Sequence, residues 1–236
     1  MLFWFGSFFM MVFTGLFLYY GSRHLQNVRY IHYALTFMPL IMAGAYLAMS
    51  NGVWAIKTDG YWFYLARYVG WVFVLPLMAF ILFALSRDAK GGIVTTKELV
   101  YAVATGMMTV VFGALSILSY SDGRIWALCM GAISLILFLY IVMLRYGASV
   151  KGQSQSMISL YTRLSMVVGV LFPGYFALTV LGEAWVGMYS VVTENFALTL
   201  LDITTIGLVG YLVYTHSFEP EKKPKQKTKS KKIKSL

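Results

Sequence analysis

The sequence is short of charge. Only 12% of its 236 residues are charged, against 59% hydrophobic, and a soluble domain of this size could not hide so much apolar surface. It holds a single cysteine, Cys129, which excludes an intramolecular disulfide and a cysteine metal cluster. Cys129 falls mid-helix and reads as a small packing residue. Histidine is scarce as well, with three. His24, His32 and His216 stand in no metal-ligand spacing with acids or cysteine, so no metal site and no enzyme is expected. The run Leu200–Tyr214 has one carboxylate, Asp202, and no lysine.

What is present is a series of apolar runs, each long enough to cross a bilayer, which takes about 20 residues. Seven are read, at roughly 2–21, 30–50, 61–86, 97–119, 124–146, 158–181 and 190–216. The fold expected is an all-α seven-helix transmembrane bundle over 1–216, with short polar connections that make neighbouring helices antiparallel. The first run lacks a charged start and a small-residue cleavage site, so it reads as a retained helix.

The net charge of +10 is uneven. Arg23, Arg29, Arg87, Lys90, Lys97, Arg145, Lys151 and Arg163 fall on one side of a seven-helix arrangement, together with the tail. Lys57 and Arg124 fall on the other, beside Asp59, Asp122, Glu183 and Glu194. The positive-inside rule then puts the N terminus outside and the C terminus in the cytoplasm. Residues 217–236 hold eight lysines, Lys222 to Lys234, and almost nothing apolar, which predicts a disordered tail. It reads as a positive-inside anchor, with attraction to anionic lipid as the functional alternative. No folded recognition module accompanies the lysines, so nucleic acid is not an expected partner.

Three prolines lie inside spans, Pro39, Pro76 and Pro173, where a bundle turns them into kinks. Arg67 opens the third helix and Asp202 lies in the middle of the seventh. A charge at membrane depth costs about 2.5–3.5 kcal/mol on insertion scales and must find a partner. A buried Arg67–Asp202 ion pair is expected, with Tyr46, Tyr64 and Tyr68 as candidate donors or spacers.

The third helix reads ARYVGWVFVLPL, with Arg67, Tyr68, Trp71, Pro76 and Leu77. The second holds Pro39 and Tyr46, the fourth GMMTVVFGALS, and the fifth Trp126 in RIWALCMG. The sixth has Phe172-Pro173 and Phe176, and the seventh Glu194 and Asp202. Together and in this order, from Leu16 to Tyr214, they resemble the microbial (type 1) rhodopsin, or bacteriorhodopsin-like, family. The resemblance implies a seven-helix fold and a pocket lined by Tyr46, Trp71, Met108, Trp126, Gly169, Phe172 and Phe176. It also implies an outward acid at Glu194.

Departures from that pattern decide the expected function. The family attaches retinal to a lysine four residues after the seventh-helix aspartate, and Ile206 stands there. A Schiff base needs an amine inside the pocket, and no other lysine is placed to supply one. The family's counterion acid is matched by Gly70, the next pumping position by Val74 and the proton donor by Ile81. Gly169 stands where the family has a tryptophan. Loss of one cation and one acid leaves Arg67 and Asp202 as a neutral pair. A retinal-free, light-independent opsin-like protein is therefore expected, without covalent retinal or another cofactor. It would sit in the plasma membrane and act as scaffold, sensor or regulator through a membrane partner or copies of itself. The alternative is a non-covalent binder of a retinoid, carotenoid or lipid, against collapse of the emptied space. A rhodopsin-type ion transporter is disfavoured, because Val74 and Ile81 offer no titratable station.

Overall fold

The computed structural model describes residues 1–24, 29–58, 61–87, 94–119 and 122–216. The expected tail, 217–236, lies outside the described residues, as do Asp59 and Lys90. In lipid each backbone polar group must be satisfied within its own segment, and these apolar runs do so as helices. They are α1 (Leu2–His24), α2 (Arg29–Ser50), α3 (Leu65–Ser86), α4 (Thr96–Leu118), α5 (Asp122–Leu139), α6 (Gly147–Val150), α7 (Gln155–Leu181) and α8 (Val191–Thr215). A π-helical segment, Tyr140–Tyr146, joins α5 to the short α6, so Asp122–Val150 forms one span and the described residues hold seven.

Helix starts are fixed by side chains that occupy orphan amides. The Ser154 hydroxyl accepts from Met157 N at α7, and the Ser190 hydroxyl accepts from Thr193 N at α8. Glu98 accepts from the backbone N of Thr95 before α4, in the manner of a capping box. Pro39, Pro76 and Pro173 sit inside continuous helices.

The third span does not begin at residue 61. β1 (Ala55–Thr58) and β2 (Tyr61–Tyr64) form an antiparallel hairpin, with Ala55 opposite Tyr64 and Lys57 opposite Trp62. The run Tyr61-Trp62-Phe63-Tyr64 is all aromatic, a composition that suits a pleated strand. Its faces divide accordingly: Phe63 is buried against Ala114, Ile117 and Ala184, while Trp62 is exposed. The hairpin caps the end of the bundle where α3 and α8 begin.

The π segment is supported from outside. The Tyr161 hydroxyl donates to the Val142 carbonyl, and the Tyr146 hydroxyl donates to the Glu98 carbonyl at 3.1 Å. Cys129 faces outward rather than packing inside. Helix α3 is the spine of the core, with Val74, Leu75, Met78, Ala79, Ile81 and Leu82 all buried. It packs against α2, α4, α7 and the π segment, while α8 lies against α1, α2 and α7.

Candidate functional site

The site begins with a stripe on α8. Asn195, Thr199 and Asp202, spaced by four and three residues, share one helical face and are all buried. Arg67, on the first turn of α3, reaches across to that stripe with 4% of its surface exposed. Its Nη1 donates to Asn195 Oδ1 at 2.8 Å and its Nη2 to Thr199 Oγ1 at 2.9 Å. Nη2 also lies 3.4 Å from the Asn195 carbonyl. Arg67 Nε lies 3.3 Å from Asp202 Oδ2, within ion-pair range, but is not aligned for a hydrogen bond. The attraction between the two charges is therefore Coulombic, and the guanidinium spends its hydrogen bonds on Asn195 and Thr199.

Asp202 is fully buried and is served by three neutral donors. Trp71 Nε1 and the Tyr175 hydroxyl each donate to Oδ1 at 2.8 Å. The Tyr46 hydroxyl donates to Oδ2 at 2.5 Å. Oδ1 thus accepts two hydrogen bonds and Oδ2 one, which fills three of the four lone-pair sites of an ionised carboxylate, with the Arg67 charge beside Oδ2. The centre carries one positive and one negative charge and no net charge.

The two charges thus have more partners than each other. The polar stripe at 195, 199 and 202 was a sequence signal for two of them. Tyr175, three residues after Phe172, had no signal to set it apart from other bundle tyrosines. Of the other tyrosines singled out, Tyr64 packs edge-on to Phe3 and Tyr68 against Phe63.

Beyond Asp202 the interior turns apolar. Val74, Ile81 and Ile206 are each at most 1% exposed, among Met38, Met42, Met78 and Val209. Gly70 is closed over: a Cβ there would lie 2.8 Å from Met42 Sδ and 3.1 Å from Ala45 Cβ. Among the described residues the lysines are Lys57, Lys97 and Lys151, all exposed and none inside the bundle.

A cavity of about 90 Å³ lies beside this centre, lined by Arg67, Tyr68, Trp71, Phe172, Tyr175 and Phe176 with Thr109, Gly113 and Leu128. Four of the expected lining residues are elsewhere. Met108 and Trp126 are 51% and 69% exposed and point out of the bundle. Thr109 and Leu128 take the inward positions; the lipid-facing side of a span is as apolar as its packed side, so hydrophobicity does not mark which face turns in. Gly169 is covered by Met143, whose Sδ lies 3.0 Å from where a Cβ would be. Tyr46 is bound to Asp202 and does not line the cavity. Trp71, Phe172 and Tyr175 meet edge-on or tilted, at centroid distances of 5.3–5.9 Å, and fill much of the space.

Glu194 is buried at the hairpin end and lines a smaller cavity, about 30 Å³, with Arg67, Asn195 and Tyr64. Gly182 makes room for it, since a Cβ there would fall 2.2 Å from Glu194 Oε2.

An arginine on α3, an aspartate on α8 and seven spans around them are a rhodopsin-like arrangement, and the chain belongs to the bacteriorhodopsin-like protein family, whose model matches residues 1–215. Archaerhodopsin-2 from Halobacterium sp. (strain aus-2) is 29% identical over 188 residues, covering 77% of this chain and 71% of that protein. Sensory rhodopsin-2 from Haloarcula vallismortis is 28% identical over 185 residues, covering 76% and 74%. In fold, the chain is similar to thermophilic rhodopsin from Rubrobacter xylanophilus, with TM-score 0.86, 23% identity and 92% and 94% of the two chains covered. The light-driven proton pump LR (Mac) from Leptosphaeria maculans gives TM-score 0.81 at 19% identity, covering 91% and 93%. The chain is an integral membrane protein of the rhodopsin type.

Proposed function

We propose that this protein is a retinal-free, light-independent opsin-like membrane protein that works through partners rather than by transport or catalysis. The observation that carries the reading is that this chain's own groups close over Asp202. Tyr46, Trp71 and Tyr175 donate to its oxygens and Arg67 supplies its counter-charge, while one turn further along α8 stands the buried Ile206, with no amine. Retinal does not fit the residues present: no amine lies in the described interior, and a 90 Å³ cavity is far below the roughly 300–1,000 Å³ of ordinary ligand pockets. The same volume weighs against a non-covalent retinoid or carotenoid. Transport is disfavoured by the buried Val74, Met78, Ile81 and Val209, which offer no proton station beyond Asp202.

The resting place is the plasma membrane, with the N terminus outside and the basic tail, Lys222 to Lys234, in the cytoplasm. That orientation rests on the charge asymmetry. A cysteine placed beside Lys229 should then resist an impermeant thiol reagent in intact cells. The direct test of the function is expression with all-trans-retinal, then purification, an absorption spectrum and borohydride reduction. The expected result is no visible pigment and no reduced adduct. A borohydride-fixed retinal on the membrane domain overturns the reading.

A further inference from the structure

Away from the central site, one end of the bundle is basic. Arg29, Arg87, Lys97, Arg145, Lys151 and Arg163 lie there on exposed positions, and among the described residues the acid at that end is Glu98. Glu98 is taken: Arg145 binds it through Nε at 2.9 Å and Nη2 at 2.6 Å. Arg163 is different. Among the described residues no carboxylate lies within ion-pair distance of it.

Arg163 lines a cavity of about 370 Å³ between the start of α7 and the end of α8, together with Ser156, Ser159, Thr215 and His216. Ser156, Ser159 and Arg163 are spaced three and four apart, so a guanidinium and two hydroxyls share one face of α7. Among the described residues no carboxylate lines the cavity. Burial holds the His216 imidazole below its ordinary pKa, so it adds no negative charge to the lining and little positive charge at neutral pH. Leu160 and Leu212 complete the lining as apolar surface. The same two faces continue toward mid-membrane as exposed apolar residues, Met166 and Val170 on α7 and Leu208 on α8.

We propose that this cavity is a binding site for a phosphate group, carried by the head of an anionic lipid whose acyl chain lies along Met166, Val170 and Leu208. Arg163 presents a planar fork matched to phosphate oxygens, and the serine hydroxyls add donors without competing charge. Basic pockets between transmembrane helices bind phosphorylated lipid heads by this chemistry. Free phosphate would meet the same donors but gain nothing from the apolar faces. The site stands apart from the Arg67–Asp202 centre and does not depend on the retinal-free reading.

The test uses the full-length protein in neutral detergent and follows its melting temperature. Short-chain phosphatidic acid, phosphatidylcholine of the same chain length and inorganic phosphate are titrated in parallel. Phosphatidic acid should give a saturable rise and phosphatidylcholine none. Arg163→Gln, an exposed substitution that leaves the tail intact, should weaken that response roughly tenfold or more, the loss expected for a hydrogen bond to a charged group. Arg163→Lys should recover part of it, Ser159→Ala should weaken it less, and Arg29→Gln should respond as wild type. Inorganic phosphate acting as well as the lipid would assign the same site to free phosphate. Equal responses from wild type and Arg163→Gln, an equal loss in Arg29→Gln, or no response at all would overturn the site.

Discussion

The two halves of the bundle interior are built on opposite principles. In the half where α3 and α8 begin, Arg67, Asn195, Thr199, Asp202, Tyr46, Trp71 and Tyr175 form one cross-helix polar network. In the other half the centre is Met38, Met78, Ile81, Val168, Ile206 and Val209. Its buried hydroxyls bond backward within their own helices, Thr36 to His32 O and Ser165 to Thr162 O. Among the described residues its cross-helix hydrogen bonds lie toward the margin, such as those of Tyr161 to the π segment, His32 with Tyr214, and Tyr214 to the Phe17 carbonyl. Where a charge is present, the fold surrounds it with polar side chains from α2, α3, α7 and α8. Where charge is absent, the centre closes by packing and the hydrogen bonds between helices stay at its margin.

The contrast can be broken from either side, using thermal or denaturant unfolding of the purified protein. Asp202→Ala should have the largest effect, about 3–5 kcal/mol, because it leaves a buried arginine and three donors without their acceptor. Val74→Asp is the converse change, placing an acid in the apolar half. It should cost about 2.5–3.5 kcal/mol on membrane-insertion scales. A Val74→Asp protein that unfolds with the wild type would show that this half tolerates charge, and the contrast would lose its meaning. A finer comparison uses one hydroxyl from each half. Tyr175→Phe removes a hydrogen bond to a carboxylate and should cost about 1.5–3 kcal/mol, whereas Tyr161→Phe removes one to a neutral carbonyl and should cost about 0.5–1.5 kcal/mol. Equal losses would mean that Asp202 is not charged as described.

Much of this was legible in the sequence, for reasons that also explain the rest. Seven apolar runs of membrane length specify seven spans, and a lone arginine and a lone aspartate at membrane depth point to each other. The hairpin at 55–64 was not legible, because an aromatic run beside an apolar helix extends the hydrophobic signal without a break. The π segment was hidden the same way, inside the uniform stretch from Leu135 to Leu144. Rotation was the main loss. In a membrane span the outward face is itself apolar, so hydrophobicity gave no sign that Met108 and Trp126 face outward. Resemblance to a family pattern supplied helix order correctly but not which neighbour fills a position the family leaves to its chromophore. Met143 over Gly169 and Met42 over Gly70 follow from side-chain packing in this chain alone.

The central claim is that Arg67 and Asp202 form a closed, self-neutralised centre, and a double-mutant cycle on that pair tests it most directly. Arg67→Gln, Asp202→Asn and the double variant would be unfolded side by side with the wild type. Each single change should be strongly destabilising, since it leaves one buried charge alone, and the double change should recover much of the loss. Losses that simply add in the double variant would show that the two charges do not interact, and would contradict the account.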